Sequence, residues 1–467
     1  MLNSLTLENF KAFRKLDKLQ LKPITILCGT NSCGKSSIIQ SLLLLNQSVS
    51  AQNLVLDGNL INLGHGDHLA YQRKKNTTIR IGLGLNKLAE INKDFISDVN
   101  IGFTFFDNKA LKIQNIDLLV HLTYSERPEN ECSIKLNRID DTKWQINWEG
   151  IEIQGKTVGE AILDLDSRNI LDFDIDPYKS FKVDRLKYLL DELEQFESLQ
   201  IVLAMLAQTI KSTFKDFSYL GPLRSEPKHE YIYHSIPDKI GNQGENAAFF
   251  YFNERDTKIN NHYFYNKNSD TFSTINNISL KDAVNKWLEL MKIDNFNVET
   301  ENRIIYVSQN ASKNDTTKVG IADVGFGVSQ IFPIVLEGLR LQKGSTLLLE
   351  QPEIHLHPNL QMQMADYFIS LALSGKNIIV ETHSDHIVNR LVRRIVEDGN
   401  NIMKNLIAIY FIKPSVNGAI YEEVEIDEMK GIINWPPDFF DQAANEQMLI
   451  MQAGLKKRQA LTKKTKP

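Results

Sequence analysis

Apolar positions along this chain change period more than once. Residues 3–9 alternate weakly and predict a strand. Residues 19–28 predict a second strand, interrupted at Pro23, with Ile24, Ile26 and Cys28 facing the core. A helix is expected from about Lys35 to Gln47. Between residues 79 and 150, short apolar runs separated by polar turns predict a β-rich region. Residues 183–213 read as helical, 280–292 as another helix and 303–308 as a strand. Residues 252–278, rich in Asn, Asp, Thr and Tyr, fit no clear element. From Ser345 the pattern becomes α/β. Residues 345–350 and 376–382 are apolar runs bounded by turns, as in strands buried on both faces of a parallel sheet. A helix at about 359–374 supplies the crossover between them. Residues 407–413 and 419–426 predict closing strands, and the basic tail from Lys456 is expected to be disordered. There is no internal repeat and no long heptad segment.

The junction between residues 28 and 35 carries the strongest chemistry. Gly29, Thr30, Asn31, Ser32, Cys33, Gly34, Lys35 and Ser36 fit G-x-x-x-x-G-K-[ST] between a strand and a helix. The glycines let backbone N–H groups turn inward around phosphate oxygens, and the helix starting at Lys35, with Ser37 in its first turn, adds its positive end. In this pattern Lys35 reaches the β- and γ-phosphates and the Ser36 hydroxyl ligates Mg²⁺. Downstream, Thr346–Glu350 is an apolar strand ending in an acid, followed by Gln351, Pro352 and Glu353. It places a carboxylate at the sheet edge beside the phosphate loop, where it can hold Mg²⁺. A further strand runs into Glu381, Thr382 and His383, so His383 belongs at the same edge. Small residues from Asp323 to Gln330, including Gly327 and Ser329, precede an apolar helix and make another anion-binding N-terminus.

Composition narrows the classes. A net charge of −5 excludes a uniformly basic nucleic-acid coat. Three cysteines, Cys28, Cys33 and Cys132, form neither a disulfide framework nor a metal-ligand spacing. The N-terminus lacks a signal-peptide pattern and no apolar run reaches membrane-spanning length, so a cytoplasmic protein is expected.

In this order the four motifs resemble the ABC-type ATPases: Walker A, signature, Walker B, switch histidine. The opening Leu7–Phe13 is similar to that of the RecF, SMC, Rad50 and OLD branch. Glu350–Pro358 resembles the Walker B segment of bacterial OLD-like AAA ATPases, as do Tyr219–Arg224, Gly241–Asn246 and Trp435–Phe440 other segments of that group. The resemblance implies an α/β ABC-type P-loop ATPase domain assembled from both chain ends, with an inserted α+β lobe and no long coiled coil. It implies ATP and Mg²⁺ as cofactors and a head-to-tail dimer with ATP sandwiched between subunits. Gly327, Ser329 and Gln330 then cap the γ-phosphate in trans, His383 senses it, and Lys11 and Phe13 approach the adenine or ribose. One position departs from the family: the usual Asp-Glu pair is Glu350-Gln351 here. A neutral glutamine orients water but accepts no proton, so either Glu353 acts as base or hydrolysis is slow.

The long interval between Lys35 and Gly327 disfavours a transporter subunit, and the missing heptads disfavour an SMC or Rad50 protein. An OLD-like nuclease is an alternative, but the chain after His383 offers only the acidic run Glu422–Glu428 and no Asp-x-Asp. Residues 1–84 and 301–430 are expected to form the ATPase domain, 85–300 the inserted lobe and 431–467 a C-terminal segment. The expected function is an ATP-dependent switch acting on a separate effector, a nuclease or toxin, in anti-phage defence. A scaffold stabilised by ATP is the competitor. Basic clusters at Arg73–Lys75, at Arg224, Lys228 and His229, and in the tail leave DNA or RNA as a further partner.

Overall fold

Pro23 divides the N-terminal strands between two sheets. Strands β1 (Leu2–Phe10) and β2 (Phe13–Gln20) pair antiparallel, and after Pro23 the chain enters a different sheet as β3 (Ile24–Gly29). The computed structural model describes residues 2–49, 54–74, 77–85, 95–106, 110–122, 130–140, 143–153, 156–164, 210–233, 235–302, 304–312, 315–325, 327–436 and 442–464. Most of the helix expected at 183–213 lies outside these residues, as do the side chain of Cys132 and all of Lys75 and Phe326.

Among the described residues, two sheets dominate. The first is an antiparallel meander that joins β1 and β2 to β4 (Ile79–Leu85), β5 (Phe95–Phe106), β6 (Ala110–Leu122), β7 (Asn130–Arg138), β8 (Lys143–Ile153) and β9 (Lys156–Asp164), in the order β2-β1-β4-β5-β6-β7-β8-β9. The boundary expected at 84/85 falls within the last residues of β4, which pairs with β5, so this sheet runs across it unbroken. The second sheet holds β3 beside β10 (Phe217–Leu220), β11 (Thr346–Glu350), β12 (Asn377–Glu381), β13 (Ile407–Lys413) and β14 (Ile420–Glu423), in the order β10-β11-β12-β3-β13-β14. Its strands are parallel except for the β13/β14 pair. The acidic run at Glu422 thus starts on an edge strand.

Alternation along the second sheet sorts its side chains into two cores. Leu27, Leu348, Ile379, Tyr410 and Ile412 face helix α1 (Lys35–Ser48) and the first sheet, where Ile38, Leu42, Leu5 and Ile81 are buried. Ile24, Ile26, Cys28, Leu347, Leu349, Ile378 and Val380 face the other way. There they meet α2 (Ala247–Glu254), α3 (Leu280–Leu290), α4 (Gly327–Arg340), α5 (Pro358–Leu373) and α6 (Asp385–Glu397). Burial on both faces explains why these strands read as continuous apolar runs. Each such side chain contributes roughly 1.5–3 kcal/mol by leaving water, so a charge at Ile26 or Leu349 would break the layer that carries the phosphate loop.

Helices α3 and α6 start where side chains cap them. Ser384 Oγ accepts from Ile387 N at 3.0 Å ahead of α6, and Ser279 Oγ accepts from Asp282 N at 3.0 Å ahead of α3. The unplaced stretch 252–278 contains a hairpin, His262–Asn266 paired with Thr271–Ile275. The tail corrects an expectation: residues 442–464 form a helix, α7 (Gln442–Lys464), rather than a disordered basic segment. Ala, Gln, Leu and Lys are strong helix formers, and their summed propensity outweighs the local charge. Among the described residues no helix is long and apolar enough to cross a membrane.

Lys376 ties the end of α4 to the sheet, donating to Gly338 O at 2.6 Å and Leu339 O at 3.1 Å. Burial pushes its ammonium down to about 7, with Glu337 opposing. Below that value folded and unfolded chains both hold the proton. Between about 7 and the usual lysine range only the unfolded chain holds it, so this residue's contribution to stability rises with pH. The melting temperature of wild type relative to Lys376→Met is therefore expected to climb from pH 7 to pH 9. A difference that stays constant with pH contradicts this assignment.

Candidate nucleotide-binding site

The phosphate loop needs backbone shapes that few residues allow. Gly29 and Gly34 have φ of 142° and 111°, and Ser32 has a left-handed φ of 59°. A Cβ on Gly34 would lie 2.8 Å from Ala12 Cβ, because the β1–β2 turn packs over the loop. Phe13 is fully buried at that contact. It supports the loop from the core and cannot stack on a base. Lys11 donates to Gln40 Oε1 at 2.6 Å, and burial lowers its ammonium.

A cleft of about 550 Å³ opens above the loop, walled by Asn31 to Ser37 together with Ala12, Gln351, Glu381 and His383. Asn31 and Ser32 are exposed, while Cys33, Lys35 and Ser37 are buried. The Lys35 ammonium curls onto the loop, donating to Thr30 O at 2.8 Å and Gly29 O at 3.1 Å. A phosphate oxygen placed in the cleft would compete for the same ammonium hydrogens.

Strand register brings the acids to the loop. Glu350, at the end of β11, lies opposite Glu381 at the end of β12, and Glu381 lies opposite Leu27 of β3. The Ser36 hydroxyl and Glu381 face the same cleft, and Ser36 favours the ionised Glu381 carboxylate. Its Oε2 is buried and has no hydrogen-bond partner. Glu350 Oε1 accepts from Tyr219 Oη at 2.9 Å. Burial and then the Glu381 charge push the Glu350 carboxyl up to about 7, against Tyr219, Arg224 and Lys11. Burial also raises Glu381, with Ser36 and Lys35 pulling it back.

Arg224 is the positive counterweight. It donates to Glu350 O at 3.0 Å and Gln351 O at 2.9 Å. Desolvation lowers it to about 10, so it stays charged at neutral pH. These bonds and the Gln351 N donation to Glu381 O at 2.7 Å hold Gln351 at a left-handed φ of 45°. Such strain in a non-glycine residue persists only where surrounding contacts impose it. Glu353 is committed elsewhere: its oxygens accept from Thr382 Oγ1 at 2.8 Å and His383 N at 2.6 Å. His383 borders the cleft with its imidazole lowered by burial and by Lys35, which keeps the ring neutral.

Thus Asn31, Ser32, Cys33, Gly34, Lys35, Ser36, Ser37, Gln351 and His383 share one cleft, with Glu350 behind it. Gly327, Ser329 and Gln330 start α4 and are not part of that wall. Ser329 and Gln330 are themselves buried. Sequence reasoning missed Glu381, although it had the signal that flagged Glu350: an acid closing an apolar strand. It also read Arg224 as part of a nucleic-acid cluster, whereas Arg224 is buried against the site and only Lys228 and His229 are exposed. Mg²⁺ favours oxygen ligands and is shared between one or two carboxylates and substrate phosphates. Ser36 and the unpartnered Glu381 oxygen, with Glu350 adjacent, fit that requirement. Among the described residues no group of three His, Cys, Asp or Glu could hold a metal by itself.

No curated protein matches the chain. Solved structures that match include the SMC head domain from Thermotoga maritima, at 11% identity and a TM-score of 0.37, covering 91% of this chain and 99% of that one. An SMC head bound to the C-terminal winged-helix domain of ScpA matches at 11% identity and a TM-score of 0.39, over 91% and 98% of the two chains. A Pyrococcus furiosus SMC head with an extended coiled coil, bound to the C-terminal domain of ScpA, matches at 11% and 0.35, over 91% and 96%. The family model described as an AAA ATPase domain matches residues 1–388. With a phosphate loop, facing carboxylates and a matched span that covers most of the chain, this protein belongs to the AAA ATPase domain family.

Proposed function

We propose that this protein is an ATP-driven switch in which two copies close head to tail around ATP and the closed dimer controls a separate effector. The observation that carries this reading is the make-up of the cleft wall. The loop, Gln351, Glu381 and His383 form one side of a γ-phosphate site, while Gly327, Ser329 and Gln330 stand outside it at another helix start. A second copy turned to face the cleft supplies that helix N-terminus, whose N–H groups and dipole suit a phosphate.

In the closed dimer Lys35 leaves the loop carbonyls for the β- and γ-phosphate oxygens. Ser36, Glu381 and Glu350 would hold Mg²⁺ beside the phosphates. When bound, the ion offsets charge on the transferring phosphoryl group. Gln351, fixed by Arg224, aims its neutral amide at the attacking water. Glu353 is a positioning residue, because both its oxygens brace Thr382 and His383. His383 donates from a neutral ring to the γ-phosphate. With no free carboxylate at the Gln351 position, turnover is slow and the ATP-bound dimer is long-lived. The effector, a nuclease or toxin in anti-phage defence, follows from the sequence resemblance.

Two experiments test the reading. Lys35→Ala removes the phosphate ligand, and Gly327→Asp places a negative charge at the capping helix. Each variant alone is expected to lose ATP turnover. Mixed in equal amounts, they should regain about a quarter of wild-type turnover, since half the dimers then carry one intact site of two. A mixture as inactive as its components argues against capping in trans. Separately, Gln351→Glu supplies a base where the amide stands. It is expected to raise turnover by about tenfold or more and to shorten the life of the dimer. Unchanged or lower turnover with ATP still bound contradicts the role given to Gln351.

A further inference from the structure

A second cavity, of about 670 Å³, lies between the hairpin of residues 262–275 and helix α3, and shares no wall residue with the phosphate-loop cleft. Its volume is within the roughly 300–1,000 Å³ range of small-molecule sites. Phe264 and Tyr265 line it, and Lys267, Lys286 and Lys292 surround its mouth with Glu289 and Asp294. Lys286 Nζ stands 5.6 Å from the Phe264 ring centre.

The inner end matters most. A recess of about 40 Å³ adjoins the cavity, sharing Tyr265, Lys267 and Leu290 and reaching Trp287, Gln363, Asp366 and Arg390. Each of these last four residues carries a buried polar atom without a hydrogen-bond partner: the donors Trp287 Nε1 and Arg390 Nε, and the acceptors Gln363 Oε1 and Asp366 Oδ2. Trp287 and Asp366 are both 0% exposed. Arg390 Nε sits 3.3 Å from Asp366 Oδ2 as an ion pair that lacks hydrogen-bond alignment. The other Asp366 oxygen is taken by Arg394 Nε at 2.8 Å. Buried polar groups are almost always paired, and the orphaned Trp287 Nε1 and Gln363 Oε1, beside the poorly aligned Arg390–Asp366 pair, indicate a missing polar guest.

We propose that this cavity binds a nucleoside phosphate, with the edge of the base in the recess and the phosphate at Lys267, Lys286 and Lys292. The recess offers the donor Trp287 Nε1 and the acceptor Gln363 Oε1, with the Arg390–Asp366 pair beside them, in a space that admits only an edge, which matches a heterocycle carrying both kinds of group. The aromatic walls suit its flat faces. Three lysines against two carboxylates leave the mouth net positive for a phosphate. The guest is either a free nucleotide or the end of a single strand, which present the same chemistry.

The test is calorimetric titration of full-length Lys35→Ala, which silences the phosphate loop, with wild type saturated with ADP as a folding control. The probes are AMP, GMP, CMP, UMP and a 5′-phosphorylated single-stranded tetranucleotide. Binding of at least one probe is expected, weakened tenfold or more by Gln363→Leu and by Lys286→Glu, with melting temperatures unchanged. Equal affinity for mononucleotide and tetranucleotide identifies a free nucleotide. Tighter, salt-sensitive binding of the tetranucleotide identifies a strand end. No binding of any probe in either protein, or binding that both variants leave unchanged, overturns the proposal and leaves the recess to buried water.

Discussion

The site depends on the register of three neighbouring parallel strands. Glu350 and Glu381 end side by side, and Glu381 falls opposite Leu27, two residues before Gly29. Two carboxylates are therefore buried together beside one phosphate loop. Desolvation raises both; the Glu381 charge adds to this at Glu350, which reaches about 7, and the Glu353 charge adds to it at Glu381. Such an arrangement is costly unless cations and hydrogen bonds accompany it. Arg224, Lys35, Tyr219 and Ser36 provide them within the chain, and a divalent cation with ATP would complete the set. A one-residue slip of β12 would turn Glu381 to the opposite face and dissolve the site.

The same strand ends link chemistry to possible movement. Gln351 N bonds to Glu381 O, and Glu353 holds Thr382 and His383, so Gln351 and His383 share one hydrogen-bonded unit. Arg224 connects that unit to the segment following β10. Loss of a γ-phosphate contact at His383 would therefore be felt at Glu353 and along the first turn of α6, which Ser384 caps. In the proposed switch this would be the route from nucleotide state to α6.

Much of this was legible in the sequence because a few local patterns carry steep constraints. The phosphate loop announces itself through glycines that must adopt positive φ, and the parallel strands through apolar runs buried on both faces. The α/β P-loop ATPase architecture expected from those signals is the one observed. Glu381 was overlooked because strand order, which no local pattern encodes, decides which acid lies next to β3. Arg224 looked like a surface charge, since only long-range packing reveals that its guanidinium is spent on two backbone carbonyls. The tail misled in the other direction: its lysines suggested disorder, while its helix formers made α7. The recess around Trp287 had no sequence signature, because its four walls come from residues 265–267, 287–290, 363–366 and 390.

The central claim is that ATP closes two copies of this chain around a shared site. It is tested most directly by the mass of the purified protein in solution, with and without ATP, for wild type and Lys35→Ala. The account predicts that ATP doubles the mass of wild type, and that Lys35→Ala shows no such change. The same mass in every state would contradict it, because the oligomeric state would then be independent of nucleotide.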